Sequence, residues 1–231
     1  QIDTETLFRR IGVGSEVAAW LLLPGGFVAP SYYAMGDFIN VFDNETQPHI
    51  VRVARDGTAL STHGDWAAAP NPNARVNDIA IDGDEAVIVG EFTSLGITSR
   101  NRIARITDTG VLVPGFNPGT GFNNNAYGIA LDPVALHVTV VGDFTSYNGP
   151  AVGRIARINA LTGALIAYPA ANNGNSSGAD GTIRTMTRQP DGRILIAGSF
   201  TTYNGIPRSG IARLEPDGSL DTSFTPKGNA G

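Results

Sequence analysis

Short apolar runs separated by turn residues return along this chain at a spacing of about 54 residues, in the size range of propeller blades. Each copy has an apolar run ending in glycine, then Asp, Glu or Ser with Phe, and later Ile-Ala-Arg-Ile or a variant. The recurring residues are Gly36, Gly90, Gly142 and Gly198, followed by Arg52, Arg105, Arg157 and Arg213. A repeat of this length indicates one supersecondary unit per copy, stacked on its neighbours because a single copy cannot bury its own apolar surface.

Each copy is predicted to contain four short strands and almost no helix. The first strands are expected at 17–22, 76–81, 127–131 and 183–188. The second strand is nearly all apolar, which is typical of a strand buried on both faces. The third contains the repeated arginine, and a weaker fourth follows a turn that ends in glycine.

Four-stranded units without helices predict an all-β fold, a β-propeller of about four blades in a single domain, 1–231. The approximate repeats are 17–75, 76–125, 126–182 and 183–231, named here the first to the fourth repeat. Residues 3–8 resemble 221–224, so 1–16 are predicted to form a closing strand shared by the two ends. A chain cut from a longer array is the alternative to this closure, and a β-sandwich of hairpins is the alternative fold.

The glycine inside each second strand predicts a β-bulge or a close approach of two backbones. The phenylalanine that follows is expected to pack between neighbouring blades.

The amino-acid composition argues against several classes of function. Apolar residues make up 42% and charged residues 16% of the chain, and the net charge is −5 with scattered basic residues, so we expect a globular protein without a nucleic-acid partner. The absence of cysteine excludes disulfides and thiolate-bound zinc. No apolar run reaches the ~20 residues of a membrane helix, so membrane insertion is not expected.

Two phrases carry a family resemblance: 189–200, Gln-Pro-Asp-Gly-Arg-Ile-Leu-Ile-Ala-Gly-Ser-Phe, and 211–224, which begins Ile-Ala-Arg-Leu. They resemble the delta-sixty repeat, which builds β-propeller regions in bacterial surface and secreted proteins and in phage tail and fibre proteins. The similarity is close in the third and fourth repeats, good in the second and poor in the first, where 32–35 and the loop to Ile50 depart. The family has no established catalytic motif, so the resemblance implies a display or adhesion module.

The repeated arginines are predicted to form structural ion pairs with an acid of the same repeat. The predicted pairs are Asp37–Arg52, Glu91–Arg105 and Asp143–Arg157. Ser199 breaks the pattern, so Arg213 is expected to meet a carbonyl or another acid such as Asp217.

Three features resemble catalytic or metal-binding sites, but each has a simpler structural interpretation. Residues 174–178 match G-x-S-x-G, a motif that requires a strand-to-helix elbow, and no helix follows. His49, His63 and His137 lie at unrelated repeat positions, which favours structural or exposed roles. The acidic stretch 82–85 aligns with the other first turns and is interpreted as a turn, not a calcium site. We therefore expect no catalytic residue, cofactor or metal.

The longest loops, at 39–48, 93–101, 145–153 and 201–209, should emerge on the same face as the connections between blades. Such a face often binds ligands in repeat proteins, and here it is rich in Asn, Ser, Thr and Tyr. The candidate ligand-binding residues are Tyr147, Asn148, Tyr203, Asn204, Asn124 and Trp66. Tyr-Asn-Gly at 147–149 and 203–205 has a second interpretation as a plain turn, with Asn and Gly at positive φ.

The sequence therefore predicts a non-enzymatic binding or structural module of a surface appendage, fibre or phage tail. Its expected partner is a host-cell glycan or protein, and its expected location is extracellular, at a cell surface or on a virion. It is also expected to belong to a larger assembly or longer chain, with homo-oligomers as one form. The alternatives are a polysaccharide-acting enzyme on a propeller scaffold and a purely architectural bead.

Overall fold

The computed structural model describes residues 17–22, 31–36, 40–41, 45–46, 49–54, 71–166 and 178–226. These residues form β-strands, isolated bridges and turns, with no helix among them, as the all-β prediction requires. The chain divides into two compact units, Gln1–Val113 (unit 1) and Pro114–Gly231 (unit 2). Segment 1–16, the predicted closing strand, lies outside the described residues.

Unit 1 contains two antiparallel three-stranded sheets and two small hairpins. Its strands are β1 (Val17–Leu22), β2 (Ser31–Gly36), β3 (Asn40–Val41), β4 (Glu45–Thr46), β5 (Ile50–Ala54), β6 (Val76–Asp82), β7 (Glu85–Gly90), β8 (Ser94–Leu95), β9 (Thr98–Ser99) and β10 (Ile103–Thr107). The sheets have the orders β1-β2-β5 and β10-β7-β6, and the hairpins are β3-β4 and β8-β9.

Unit 2 repeats this plan. Its strands are β11 (Ala126–Asp132), β12 (His137–Gly142), β13 (Ile155–Asn159), β14 (Leu165–Ile166), β15 (Ile183–Arg188), β16 (Ile194–Gly198), β17 (Thr202–Tyr203), β18 (Ile206–Pro207) and β19 (Ile211–Leu214). The sheets have the orders β11-β12-β13-β14 and β15-β16-β19, and β17-β18 is a hairpin. The fourth strand is as weak as predicted, because β14 has two residues and the fourth repeat has only a bridge between Leu214 and Leu220. In this bridge, Leu214 of β19 pairs with a residue of the same repeat, Leu220.

The middle strands explain the apolar runs of the sequence. All six residues of β12 are buried, and in β7 only Glu85 is not, so both faces of these strands are covered as predicted. In β16 burial alternates instead, with Ile194 and Ile196 buried and Leu195 and Ala197 half-buried. One face of the fourth repeat is thus less covered than the same face of the third.

In the second, third and fourth repeats, the glycine at the end of the second strand permits a close backbone approach, as the sequence predicted. A Cβ on Gly142 would lie 2.2 Å from the Asn125 carbonyl oxygen, and one on Gly198 would lie 2.1 Å from that of Thr182. The pairing register shifts directly opposite these glycines, which is the signature of a β-bulge. A glycine is required at these positions because any side chain would collide with the neighbouring strand.

The residue directly before the third strand of each repeat has a left-handed backbone conformation, with positive φ. The residues are His49 (φ 70°), Arg102 (66°), Arg154 (62°) and Gly210 (75°). Their carbonyls accept hydrogen bonds from the N–H groups of Gly36, Gly90, Gly142 and Gly198, respectively. The sequence analysis did not predict this feature, since four different contexts of His, Arg and Gly share no single turn signature.

Each unit has an apolar core that joins two successive repeats. In unit 1, Met35 and Ile50 of the first repeat cluster with Ile88 and Phe92 of the second. In unit 2, the core cluster includes Val141 of the third repeat together with Phe200 of the fourth. Phe92 and Phe200 therefore belong to cores shared by neighbouring repeats, in line with the sequence prediction.

Candidate interaction surface

In the second, third and fourth repeats, a small hairpin follows the second strand and is fixed to the scaffold by one polar side chain. In the second repeat, Oδ1 of Asn73 accepts the backbone N–H groups of Thr93 (2.8 Å) and Ser94 (3.0 Å), and its Nδ2 donates to Oγ1 of Thr93 (2.9 Å). Three side chains hold hairpins in this way: Asn73, Asn123 and Asp180, and they are named the hairpin clamps. The sequence prediction missed them, although aligning the repeats places an Asn or Asp shortly before each of these first strands.

The third clamp is the only acid of the three. Oδ1 of Asp180 accepts the N–H groups of Thr201 and Thr202, each at 2.8 Å, and Oδ2 accepts the Thr201 hydroxyl at 2.5 Å. These hydrogen bonds, that of the Thr201 hydroxyl foremost, hold the pKa of Asp180 far below its usual range because they stabilise the carboxylate form. The fourth hairpin is consequently fixed by a charge-assisted clamp.

The tyrosines predicted to bind ligand are buried, which corrects that prediction. Tyr147 is 0% exposed and Tyr203 is 2% exposed. Their hydroxyls donate to the carbonyl oxygens of Gly163 (2.5 Å) and Gly218 (2.9 Å), in the turn before the fourth strand. Burial raises the pKa of Tyr147, which therefore stays protonated and able to donate. Both tyrosines anchor hairpins from inside and do not offer their rings to a ligand.

The asparagines of Tyr-Asn-Gly adopt the conformation that a turn requires. Asn148 and Asn204 have φ of 48° and 52°, and their backbone N–H groups donate to the carbonyls of Gly121 and Gly178, each at 2.9 Å. Oδ1 of Asn148 also accepts the N–H of Thr120 at 3.1 Å. The turn interpretation is therefore the one that the geometry favours for these residues.

The other two candidate ligand-binding residues are Asn124 and Trp66. Asn124 is exposed, and its Nδ2 donates to Oδ2 of Asp143 at 3.2 Å. Trp66 lies outside the described residues. Among the candidate ligand-binding residues described in unit 2, Asn148 and Asn124 are thus exposed, and Asn204 is half-buried.

Apolar residues occupy the exposed tips of the hairpins. Ile97 follows Gly96 and is 105% exposed, Ile206 follows Gly205 and is 38% exposed, and Pro150 takes the same place after Gly149. Each unit therefore presents a rigidly held tip with an exposed apolar side chain. The sequence prediction concentrated on tyrosine and asparagine and passed over these residues.

Two of the predicted ion pairs, those of Arg105 and Arg157, have other partners in the structure. Arg105 meets Oδ2 of Asp82 (2.7 Å) and Oε2 of Glu85 (2.5 Å), where Glu91 was predicted. Arg105 pairs with Val87 in the ladder, and Glu91 lies four residues further along, about 13 Å away at strand spacing. The register places Glu85, two residues from Val87, on the same side of the sheet, and this position decides the partner.

The same register argument applies in the third repeat. Nη2 of Arg157 donates to the Pro216 carbonyl, where Asp143 was the predicted partner. Asp143 instead accepts the Thr182 hydroxyl at 2.6 Å.

The remaining two arginines, Arg52 and Arg213, each meet an aspartate. Arg52 donates from Nη1 to the carbonyl (3.2 Å) and to Oδ2 (3.4 Å) of Asp108, whereas its predicted partner Asp37 lies outside the described residues. Arg213 does find another acid, but this is Asp221, at 2.7 Å, and not Asp217. The Asp221 carboxylate also accepts the Ser223 hydroxyl, and these contacts hold its pKa well below the usual range.

The acidic stretch 82–85, the histidines and the G-x-S-x-G segment are interpreted as structural features on sequence grounds, and the structure describes part of each. Asp82 binds Arg105 while Gly83 takes φ 62°, as a tight turn requires. His49 and His137 are both buried, and burial together with the nearby Arg157 lowers the pKa of His137. Of the G-x-S-x-G segment, only Gly178 is described, in a bridge with Gly153, and His63 lies outside the described part. Among the described residues, no group of three or more His, Cys, Asp or Glu is arranged to hold a metal, and no helix is long and apolar enough to cross a membrane.

Residues 137–165 and 189–224 match the family model described as "Domain of unknown function (DUF5122) beta-propeller". The two matches fall in the third and fourth repeats and support a β-propeller family for this chain. Comparison with curated protein sequences gives no match.

Similar solved structures have low sequence identity to this chain. One is the extracellular domain of a proposed one-component system, BT4673, of Bacteroides thetaiotaomicron, with 14% identity, a TM-score of 0.50, and coverage of 93% of this chain and 22% of that chain. Another is a structural genomics protein of unknown function from Bacteroides thetaiotaomicron VPI-5482, with 12% identity, a TM-score of 0.46, and coverage of 83% and 40%. The chain thus spans less than half the length of these proteins. What the sequence, the sheets and the family model support together is a set of β-propeller repeats.

Proposed function

We propose that this chain is a non-enzymatic binding module of an extracellular surface protein, which contacts a glycan or a protein through its hairpin tips. The observation that carries the proposal is the combination of the three hairpin clamps with exposed tips. Asn73, Asn123 and Asp180 each use one side chain to hold two backbone N–H groups of a hairpin. Loops fixed on a rigid scaffold are where binding residues concentrate.

Rigid tips favour binding because little conformational entropy is lost on contact. The exposed apolar side chains, Ile97 in unit 1 and Ile206 in unit 2, would supply contact area. In unit 2, the exposed polar residues Asn148, Asn124 and Thr120 would supply donors and acceptors. A polar surface of this kind, with a few apolar points, suits a glycan or a polar protein surface.

Four carboxylates of the described repeats support a non-enzymatic assignment because they take part in contacts that stabilise the fold. Asp82 and Glu85 bind Arg105, Asp180 clamps a hairpin, and Asp221 binds Arg213. A polysaccharide-acting enzyme would instead use a pair of carboxyl groups that face a common substrate. The proposed extracellular location is supported by the similarity to the BT4673 domain, which is an extracellular domain.

The proposal is tested by screening the purified chain against a glycan array and against surface proteins of bacteria and host cells. In a variant with Ile97→Ser and Ile206→Ser, binding should fall at least tenfold while the melting temperature stays unchanged. The matched control is Val134→Ser, because Val134 is 92% exposed in the turn between β11 and β12, at the end of β12 opposite to its hairpin. An absence of specific binding by the intact chain, or equal loss in the control, would refute the binding role and favour the architectural bead.

A further inference from the structure

Five polar side chains meet in unit 2 where β12 ends and β15 begins. The Thr182 hydroxyl donates to Oδ1 of Asp143 at 2.6 Å, and Nδ2 of Asn124 donates to Oδ2 of the same carboxylate at 3.2 Å. In the fourth repeat, Nε of Arg184 donates to Oγ of Ser199 at 3.4 Å. The two groups adjoin, because the backbone N–H of Ser199 donates to the Thr182 carbonyl at 2.8 Å. These five residues are named the polar cluster.

The polar cluster is open to solvent and has unused hydrogen-bonding capacity. Asn124, Arg184 and Ser199 are exposed, and Asp143 and Thr182 are half-buried. Arg184 uses only Nε, so its terminal nitrogens Nη1 and Nη2 have no partner in the part of the chain that the structure describes. Each oxygen of the Asp143 carboxylate accepts one hydrogen bond there and has room for another. A ligand at this surface would therefore meet a free guanidinium fork and a carboxylate.

The fold does not require these residue types. Arg184 occupies the extra position of the bulge in the first strand of the fourth repeat, where the other repeats have Ala18, Asn77 and Tyr127. Ser199 stands where the third repeat has Asp143, since the backbone N–H of each donates to the carbonyl of the residue directly before the first strand. The backbone hydrogen bonds are therefore the same whichever side chain is present, and the guanidinium and the hydroxyl are available for a ligand.

The chemistry of the polar cluster fits a sugar that carries a carboxylate. A guanidinium with both terminal nitrogens free binds a carboxylate through two parallel hydrogen bonds. The Asp143 carboxylate accepts from hydroxyl groups, and the Asn124 amide both donates and accepts. The charge of Asp143 disfavours a phosphate dianion beside it, because like charges repel. A neutral sugar would leave Arg184 without a charged partner, so a monoanionic sugar acid satisfies the cluster best.

We propose that the polar cluster binds a uronic acid, with the sugar carboxylate on Arg184 and the ring hydroxyls on Asp143 and Asn124. This inference goes beyond the contact through the hairpin tips, because it assigns a charged site at the strand ends and a chemical class of ligand. The ligand is either a free uronic acid or one residue of an acidic polysaccharide, since both present the same carboxylate and hydroxyl groups.

The test is a titration of the full chain followed by its amide chemical shifts. Sodium glucuronate and glucose are added at equal concentrations, and a titration with sodium chloride corrects for ionic strength. Glucuronate should give saturable shifts at the amides of Asp143 and Ser199. It should bind at least tenfold more tightly than glucose, which has a hydroxymethyl group in place of the carboxylate. Equal binding of glucose, or shifts with glucuronate that do not saturate, would refute the proposal.

A glucuronate-containing oligosaccharide distinguishes the two sources of the ligand once the monosaccharide has been shown to bind. Binding at least tenfold tighter than that of the monosaccharide identifies a residue of a polysaccharide, because neighbouring sugars add contacts. Equal or weaker binding identifies the free sugar acid. Both outcomes support the assignment of the polar cluster to a sugar carboxylate.

Two variants test the placement of the carboxylate on Arg184. Arg184→Gln removes the cation at an exposed position and should lower the affinity for glucuronate at least tenfold while the melting temperature stays unchanged. Ser199→Asp places a carboxylate beside Arg184, which would compete with the ligand and lower its affinity by a similar factor. The second and third repeats have Glu91 and Asp143 at this position, so the fold accepts an acid there. Unchanged affinity in both variants would overturn the proposal.

Two controls separate this site from net charge and from the hairpin tips. Arg208→Gln removes a cation from the hairpin β17-β18, where Nη1 of Arg208 donates to the Pro207 carbonyl, and should retain the affinity for glucuronate. The variant with Ile97→Ser and Ile206→Ser should retain it as well, whether or not the tips bind a partner of their own. A loss in Arg208→Gln equal to that in Arg184→Gln would indicate a general effect of charge, and an equal loss in the tip variant would place the sugar at the tips. Either result would contradict the assignment to the polar cluster.

Discussion

The close backbone approach at Gly142 gives a quantitative prediction. Gly142→Ala would place a Cβ 2.2 Å from the Asn125 carbonyl oxygen and 2.9 Å from Cα of Ala126, both backbone atoms that cannot rotate away. The same carbonyl accepts the N–H of Asp143 at 2.8 Å, so its displacement also weakens a hydrogen bond in the bulge. The substitution therefore strains the bulge and its hydrogen bond together.

The expected destabilisation follows from these terms. Overpacking at a rigid contact costs about 1–3 kcal/mol, and the weakened hydrogen bond costs about 1 kcal/mol. Replacing glycine in the unfolded chain offsets about 0.4–1 kcal/mol of this. We expect a net loss of about 2–3 kcal/mol in the free energy of unfolding, which corresponds to roughly 5–10 °C in melting temperature for a chain of this size.

The assay is urea unfolding followed by far-UV circular dichroism, with Gly115→Ala as the matched control. A Cβ on Gly115 has no atom within 4 Å, and neither glycine has a left-handed φ, so the two variants differ in steric contact alone. Gly115→Ala should change stability by less than about 0.5 kcal/mol. If Gly142→Ala were as stable as the control, the backbone approach described here would be wrong.

Two further predictions concern charged residues. Because the pKa of Asp180 is lower in the folded chain than in the unfolded chain, its clamp stabilises the fold above the unfolded pKa of about 3.9, and this contribution is lost as pH falls through the folded value. Asp180→Asn should therefore reduce the loss of stability between neutral and acidic pH in thermal melts, and an unchanged pH profile would contradict this assignment. Arg105→Ala should lower the free energy of unfolding by about 1–3 kcal/mol, since it leaves Asp82 and Glu85 unpaired at a partly exposed site, whereas Glu91→Gln should have little effect in the same urea assay. A larger effect of Glu91→Gln than of Arg105→Ala would restore the original pairing.

The sequence alone determined the local architecture. The repeat spacing, the all-β content, the buried second strands and the glycine of the bulge could all be predicted, because each depends on the order of apolar, polar and turn residues within a few positions. Gly142 is an example, since a glycine inside an apolar strand has few physical explanations. The long loops that contain the hairpins could be located for the same reason.

Only the tertiary structure decided which side chains meet and which remain exposed. Arg105 lies near several acids in the sequence, but the antiparallel register selects Glu85 and removes Glu91 from reach. Tyr147 is followed by a polar turn, but its ring packs at 4.7 Å from that of Phe122, 25 residues earlier, and is buried by that packing. The hairpin clamps likewise join residues about 20 positions apart, such as Asn73 and Thr93. Register and packing between distant segments depend on how the repeats fold onto one another, and a linear pattern of residues does not contain that information.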